Sequence, residues 1–372
     1  MRILIAMDKF KGSLEAENVA FSVKKGLETA GIVADFDICP IADGGEGTTA
    51  AMTAALGAET VEISTTDAQN RPLKATYGWL APSGLAMMEM SAASGLTQVA
   101  DIKLKPLSAS TLGTGNLMVS ARDKGARHIL IGIGGSATND GGLGVAIAMG
   151  YGFSRQGISF TPTLETLLEA DRITPPCSPW SVEVTVACDV DNPLLGPRGA
   201  TRVYGPQKGV QDFGWFEARL EHLAHLVRQD LGLDPQNIPG AGAAGGLGFG
   251  LMAFANGKLT SGFELIAKQL GLEARIGAAD IVITGEGRLD AQSLQGKGPV
   301  GVARMARQHG KKIVGVAGTC EDSPELRAAF DLLISIKPAA MPLAEAMSRT
   351  GELIEQAVAQ HAAEFRRLGK LS

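Results

Sequence analysis

Five short segments of this chain set carboxylates or small hydroxyls beside glycines, each directly after an apolar run. They are Asp8-Lys9-Phe10-Lys11-Gly12-Ser13, Ala42-Asp43-Gly44-Gly45-Glu46-Gly47-Thr48, the stretch from Gly134 to Gly142 (GGSATNDGG), Asp189-Val190-Asp191-Asn192-Pro193 and Gly285-Glu286-Gly287-Arg288-Leu289-Asp290. Glycine lets the backbone approach a ligand, exposed N–H groups at a following helix N-terminus bind oxyanions, and hard carboxylates hold Mg²⁺. Phosphate groups and a divalent cation together need this combination. One such loop alone also reads as a turn or a helix cap, because Gly, Asp, Asn and Ser are the usual turn residues. Recurrence after several strands at one sheet edge is what favours a ligand site, since open parallel sheets bind beyond the carboxyl ends of their strands.

Three further loops share part of this character. Gly205-Pro206-Gln207-Lys208-Gly209 offers a lysine that either neutralises a moving phosphoryl group or is a solvated loop residue. The run from Pro239 to Gly248 (PGAGAAGGLG) opens a small-residue helical pattern and either aims N–H groups at a phosphate or packs closely through its glycines. Thr111-Leu112-Gly113-Thr114-Gly115-Asn116 is an anion-binding turn or a helix cap. Familiar alternatives fall short. There is no GxxxxGK[ST] loop and no GxSxG elbow. Gly132 to Ala137 fits the dinucleotide fingerprint after an apolar run, yet no Asp or Glu lies between Asp140 and Glu165 to hold a ribose. His222 and His225 form an HxxH without a third ligand near in sequence.

The elements that must position these loops are apolar runs at 2–8, 34–40, 126–135, 182–189, 279–287, 312–319 and 330–336, near-continuous rather than alternating, as in parallel strands covered on both faces. Helical spacing separates several of them, as over 14–31 with Gly31 as a stop. Residues 61–91 alternate short strand-like pieces with turns and predict a mixed, partly antiparallel sheet. The expected fold is α/β with two lobes: a discontinuous Rossmann-like, doubly wound parallel sheet from 1–60 and 262–372, and an inserted mixed α/β domain over 61–261.

With 372 residues, 45% hydrophobic, the chain can bury full cores, while an aromatic content of 5% and a net charge of −5 argue against nucleic acid as a partner. Four cysteines without a CxxC pair suggest reduced core thiols, hence the cytoplasm. No stretch approaches the ~20 apolar residues of a membrane helix, and the opening apolar run ends at Asp8, too soon for a signal peptide.

In order along the chain, DKFKGSL (8–14), ADGGEGT (42–48), EMSAASGL (89–96), STLGTGNL (110–117), GIGGSATNDGG (132–142), ACDVDNPL (187–194), YGPQKG (204–209), PGAGAAGGLG (239–248) and VITGEGRLDAQSLQGK (282–297) resemble the bacterial glycerate kinase family over essentially the whole length. Met7-Asp8-Lys9 stands where that family usually has Pro-Asp-Ser, and Asn116 where it has Glu. The resemblance implies ATP-dependent phosphorylation of D-glycerate with Mg²⁺, at the 2-hydroxyl in this group, the 3-hydroxyl remaining open. A hydroxy-acid oxidoreductase and a non-catalytic nucleotide-binding module are the competing classes. Phosphoryl transfer needs a carboxylate to orient or deprotonate the attacking hydroxyl. Asp189 is the expected one, with Asp43 or Asp290 able to serve. Lys208, Lys11 and Arg288 suit the acid's carboxylate or the moving phosphoryl group, and Asp43, Glu286 and Asp290 suit the metal. The residues expected around substrate and nucleotide are Asp8, Lys11, Ser13, Gly44, Gly45, Thr111, Gly113, Thr114, Gly134, Gly135, Ser136, Asn139, Asn192, Gly245, Gly246 and Arg288. D-glycerate and ATP are the expected partners, without a membrane, and a homodimer is left open.

Overall fold

The computed structural model describes residues 1–41, 49, 52–53, 56–290, 293 and 298–369. The chain divides into two compact units, Met1–Asp43 with Phe263–Ser372, and Gly44–Gly262.

The first unit is built on five parallel strands in the order Leu332–Ser335, Lys312–Ala317, Ile281–Gly285, Arg2–Met7, Asp35–Ile38. Their sequences, such as RILIAM and IVITG, are buried along nearly their whole length, because helices cover both faces of the sheet. On one face the helix Ala16–Thr29 buries Val19, Ala20, Val23 and Leu27, a stripe at helical spacing, against Ile3, Ile5 and Ile283. The helix Thr350–Gln360 joins the same core through Leu353, Ile354 and Val358. Gly26 is where these two helices meet most closely: a Cβ there would lie 2.7 Å from the Glu355 carbonyl oxygen. The other face is covered by the helix Gly298–Gln308, which buries Val300, Val302 and Ala306.

The second unit holds a six-stranded mixed sheet. Lys258–Thr260, Glu183–Ala187, His128–Gly132 and Leu85–Glu89 run parallel, and the antiparallel strands Pro72–Leu80 and Glu59–Thr66 extend one edge. The turn-rich stretch at 61–91 therefore supplies the antiparallel strands of a mixed sheet together with Leu85–Glu89, which joins them to its parallel part, in line with the mixed, partly antiparallel sheet expected there. A small antiparallel sheet of Gly152–Arg155, Ile158–Phe160 and Arg172–Thr174 is added outside it. Leu220, Leu223, Phe249 and Phe254 are at most 1% exposed in the core, and each such side chain contributes roughly 1.5–3 kcal/mol of burial. The helix Ala243–Ala255 is apolar on every side and almost wholly buried. Among the described residues no helix is long and apolar enough to cross a membrane.

Candidate active site

Strand register sets the edge at which the polar loops emerge. In the second unit Glu89 pairs with Gly132, Gly132 with Ala187, and Ala187 with Thr260. Four parallel strands therefore end in line, and the residues that follow, Met90-Ser91, Ile133-Gly134, Cys188-Asp189 and Ser261-Gly262, share one edge. In the first unit Met7 pairs with Gly285 and Thr284 with Gly315, which aligns Asp8, Glu286 and the Gly318-Thr319 turn in the same way. The loops thus belong to two sheets, where the sequence suggested a single edge. Parallel apolar runs look alike whichever sheet they join, so their partition needs the pairing itself.

In the second unit the loop Gly134–Gly142 is stapled from beneath by Asp140. Its carboxylate, 2% exposed, accepts hydrogen bonds from the N–H and hydroxyl of Thr111 at 2.8 and 2.9 Å and from the N–H groups of Gly142 and Gly144 at 3.1 and 3.2 Å. Burial pushes the Asp140 carboxyl above its ordinary range, and these four donors oppose that shift. Thr111 and Thr114 are buried as well, Thr114 donating to the Ser94 hydroxyl at 2.9 Å, so the 111–116 segment behaves as the packed start of the helix Leu112–Asp123. Gly113 sits where a Cβ would fall 2.0 Å from the Thr66 carbonyl oxygen.

Lys208 is not a solvated loop residue. It ends the short turn Pro206–Lys208, is 1% exposed, and donates from Nζ to the Thr138 carbonyl at 2.6 Å and the Ser136 hydroxyl at 3.0 Å. Burial pushes its ammonium down to about 7, with the nearby Asp140 charge working the other way. Asn139 donates to the Thr201 hydroxyl at 3.0 Å, while its buried Oδ1 has no hydrogen-bond partner in the structure. Gly245 and Gly246, at φ +68° and +88°, let the 239–248 run press against this loop: a Cβ on Gly245 would lie 2.0 Å from the Thr138 carbonyl oxygen, and the Ala244 carbonyl is 3.2 Å from the Ser136 hydroxyl. Close packing, the second of the two readings open for this run, describes what its glycines do here. Gly134 and Gly135 are exposed above it.

Asp189 leaves the strand Glu183–Ala187 half-buried, and its Oδ1 accepts from the Ser261 hydroxyl at 3.1 Å and the Gly262 N–H at 3.2 Å. These bonds orient the carboxylate at the strand edge. Asn192 is tied between the Tyr204 hydroxyl, 2.6 Å from Oδ1, and the Arg198 carbonyl, 2.7 Å from Nδ2.

The first unit carries the other acids. Asp8 is 6% exposed and accepts from the Lys9 N–H at 2.6 Å. Glu286 and Asp290 converge on Ser293, whose hydroxyl donates to Glu286 at 2.8 Å and whose N–H lies 3.3 Å from Asp290 Oδ1, while Arg288 pairs with Asp290 at 3.1 Å. Ser13 uses its hydroxyl on the Met347 carbonyl at 2.7 Å and beside that of Thr350, fastening the loop after Met7 to a helix start. Lys11 is exposed. Asp43, Gly44 and Gly45 lie outside the described residues. Among the described residues no group of three or more His, Cys, Asp or Glu could hold a metal ion.

Ser94, Thr138 and Thr201 complete the buried polar network, and Glu89 accepts from Thr49 N–H at 2.8 Å and the Ser91 hydroxyl at 3.1 Å. Thr138 lies in the Gly134–Gly142 loop and Glu89 and Ser94 in the EMSAASGL motif, but sequence reasoning assigned none of them a role, and Thr201 lies outside every segment singled out in the sequence. The dinucleotide fingerprint at Gly132 to Ala137 does not open directly into a helix, which begins only at Leu143. His222 spends its Nε2 on the Ala170 carbonyl at 2.8 Å.

Acids, cations and glycines at the carboxyl edges of two α/β sheets suit a small-molecule phosphotransferase. The chain belongs to the glycerate kinase family, whose profile matches residues 3–366. It is 40% identical to a glycerate kinase of Halalkalibacterium halodurans over 95% of this chain and 96% of that one, and 40% identical to the glycerate 2-kinase of Escherichia coli over 90% and 91%. A crystal structure from Salmonella typhimurium, provisionally named glycerate kinase 2, superposes over the full length of both chains with a TM-score of 0.89 at 37% identity.

Proposed function

We propose that this protein transfers the γ-phosphoryl group of ATP to the 2-hydroxyl of D-glycerate, releasing 2-phosphoglycerate and ADP. The observation that carries the reading is the family match from residue 3 to residue 366, because it spans every acidic and glycine-rich loop at both sheet edges. The name of the Escherichia coli relative favours the 2-position over the 3-position.

In this reading Asp189 takes the proton of the attacking hydroxyl as the new O–P bond forms and the bond from phosphorus to the ADP oxygen breaks. Its two donors from 261–262 hold it in place for that role. Asp43 and Asp290 remain the alternatives for the same proton. Glu286 and Asp290 would hold Mg²⁺: both offer hard oxygens beside Ser293, and this ion is ordinarily held by one or two carboxylates plus substrate phosphates. When bound, Mg²⁺ would supply neutralisation of the negative charge on the nucleotide's phosphates. Lys208 keeps the Gly134–Gly142 loop at the strand edge through Thr138 and Ser136.

A coupled assay with ATP, Mg²⁺ and D-glycerate, followed by phosphorus NMR of the product, tests the proposal. ADP release that depends on D-glycerate and a 2-phosphoglycerate resonance are expected. A 3-phosphoglycerate resonance removes the regiochemistry, and absence of ADP removes the reading.

A further inference from the structure

The first unit contains a cavity of about 730 Å³ that the buried polar network of the second unit does not share. Its floor is core: Phe10, Ile336 and Ala346 are 4%, 6% and 7% exposed and belong to the cluster under the parallel sheet. Its wall includes Leu343, a large apolar side chain left 63% exposed at the start of the short helix Leu343–Ser348 and outside that core cluster. Among the described residues four cations line it as well, Lys9, Lys11, Arg288 and Lys337, against one carboxylate, that of Glu286. Such a concentration of positive charge is notable in a chain of net charge −5.

From this pairing of a large apolar surface with a cationic lining we infer that the cavity receives the nucleotide, the base and ribose against Leu343 and its neighbours and the triphosphate among the lysines. The inference rests on the kinase reading and assigns one of its two substrates to one unit. D-glycerate is a poor occupant: three carbons bearing a carboxylate and two hydroxyls have no apolar face to bury and fill a small part of the space. ATP matches both halves, since its base is flat and weakly polar and its phosphates carry several negative charges. Pockets of roughly 300–1,000 Å³ that are mostly apolar with a few placed charges are the usual form of small-ligand sites. The loop after Met7 is fixed at this cavity by Ser13 on the Met347 carbonyl, so Lys11 departs from an anchored segment. Lys11 makes no ion pair with any described residue.

Leu343 and Lys11 are exposed, so substitutions there leave the core untouched and permit a direct test. Leu343→Glu places a negative charge against the apolar wall where the base would lie, and Lys11→Glu replaces a cation with an anion where the triphosphate would lie. Each is expected to raise the KM for ATP about tenfold or more, with the KM for D-glycerate within about twofold of the parent. A raised KM for D-glycerate with that for ATP unmoved, or no change in either, overturns the assignment. Equilibrium binding of a trinitrophenyl-ATP probe, without D-glycerate, separates the two layers of the argument. If the parent binds the probe but makes no ADP, and Leu343→Glu loses binding, the cavity stands as a nucleotide site and the kinase reading falls. Equal binding by parent and variant removes the cavity.

Discussion

Two side chains are the sharpest tests at the scale of the residue. Asp189→Asn keeps an oxygen able to accept from Gly262 and Ser261 but cannot take a proton. Steady-state kinetics should show kcat lowered by about 10²–10⁴-fold, with the thermal midpoint within about 2 °C of the parent. Near-normal turnover would transfer the role to another acid. Lys208 makes a different prediction. Its pKa, depressed by burial from 10.5 to about 7, means that the unfolded chain binds a proton that the folded chain does not between those values. Folding stability therefore carries a contribution that rises with pH across that window, and below about 7 both states are protonated and the penalty is fully present. Urea denaturation at pH 7 and pH 9.5 should show this rise in the parent, and Lys208→Met, which keeps the stem and drops the charge, should flatten it. An unchanged slope in Lys208→Met would place the titration elsewhere.

Elements are held to their sites by a few backbone contacts that only particular residues permit. At Gly245 a Cβ would collide with the Thr138 carbonyl in a left-handed conformation, so Gly245→Ala should destabilise the protein by about 2 kcal/mol or more and displace the loop that carries Ser136. Gly277, on the exposed side of the helix Leu272–Ala278, has open space around it, and Gly277→Ala should instead stabilise by about 0.5–1 kcal/mol. Chemical denaturation of the pair reads both signs in one series. Much at this scale was legible in sequence: RILIAM and IVITG read as buried parallel strands because their apolar runs are unbroken, and 61–91 read as mixed sheet because its runs are short and turn-bounded. The buried network was not legible. Lys208 meets Ser136 across 72 positions and Asp189 meets Gly262 across 73, and no local pattern encodes partners at such separations.

At the scale of the molecule, each unit has its own hydrophobic cluster, one drawn from both ends of the chain and one from its middle. Heat unfolding is therefore expected to depart from a single two-state transition, with a van't Hoff enthalpy below the calorimetric one. Added ATP should raise the transition of the first unit in particular, by mass action on its cavity. Coincident enthalpies would show that the two cores melt together. The order of the acidic and glycine-rich loops, the parallel character of the strands before them and the family they resemble were determined by the sequence alone, because apolar runs and turn residues are local chemistry. The tertiary structure decided which sheet each loop serves, that Lys208 lies sealed beneath the Ser136 loop, and that Leu343 stands exposed beside a cluster of cations. Pairing, burial and exposure are set by residues far away along the chain, so they come into being only when the chain closes on itself.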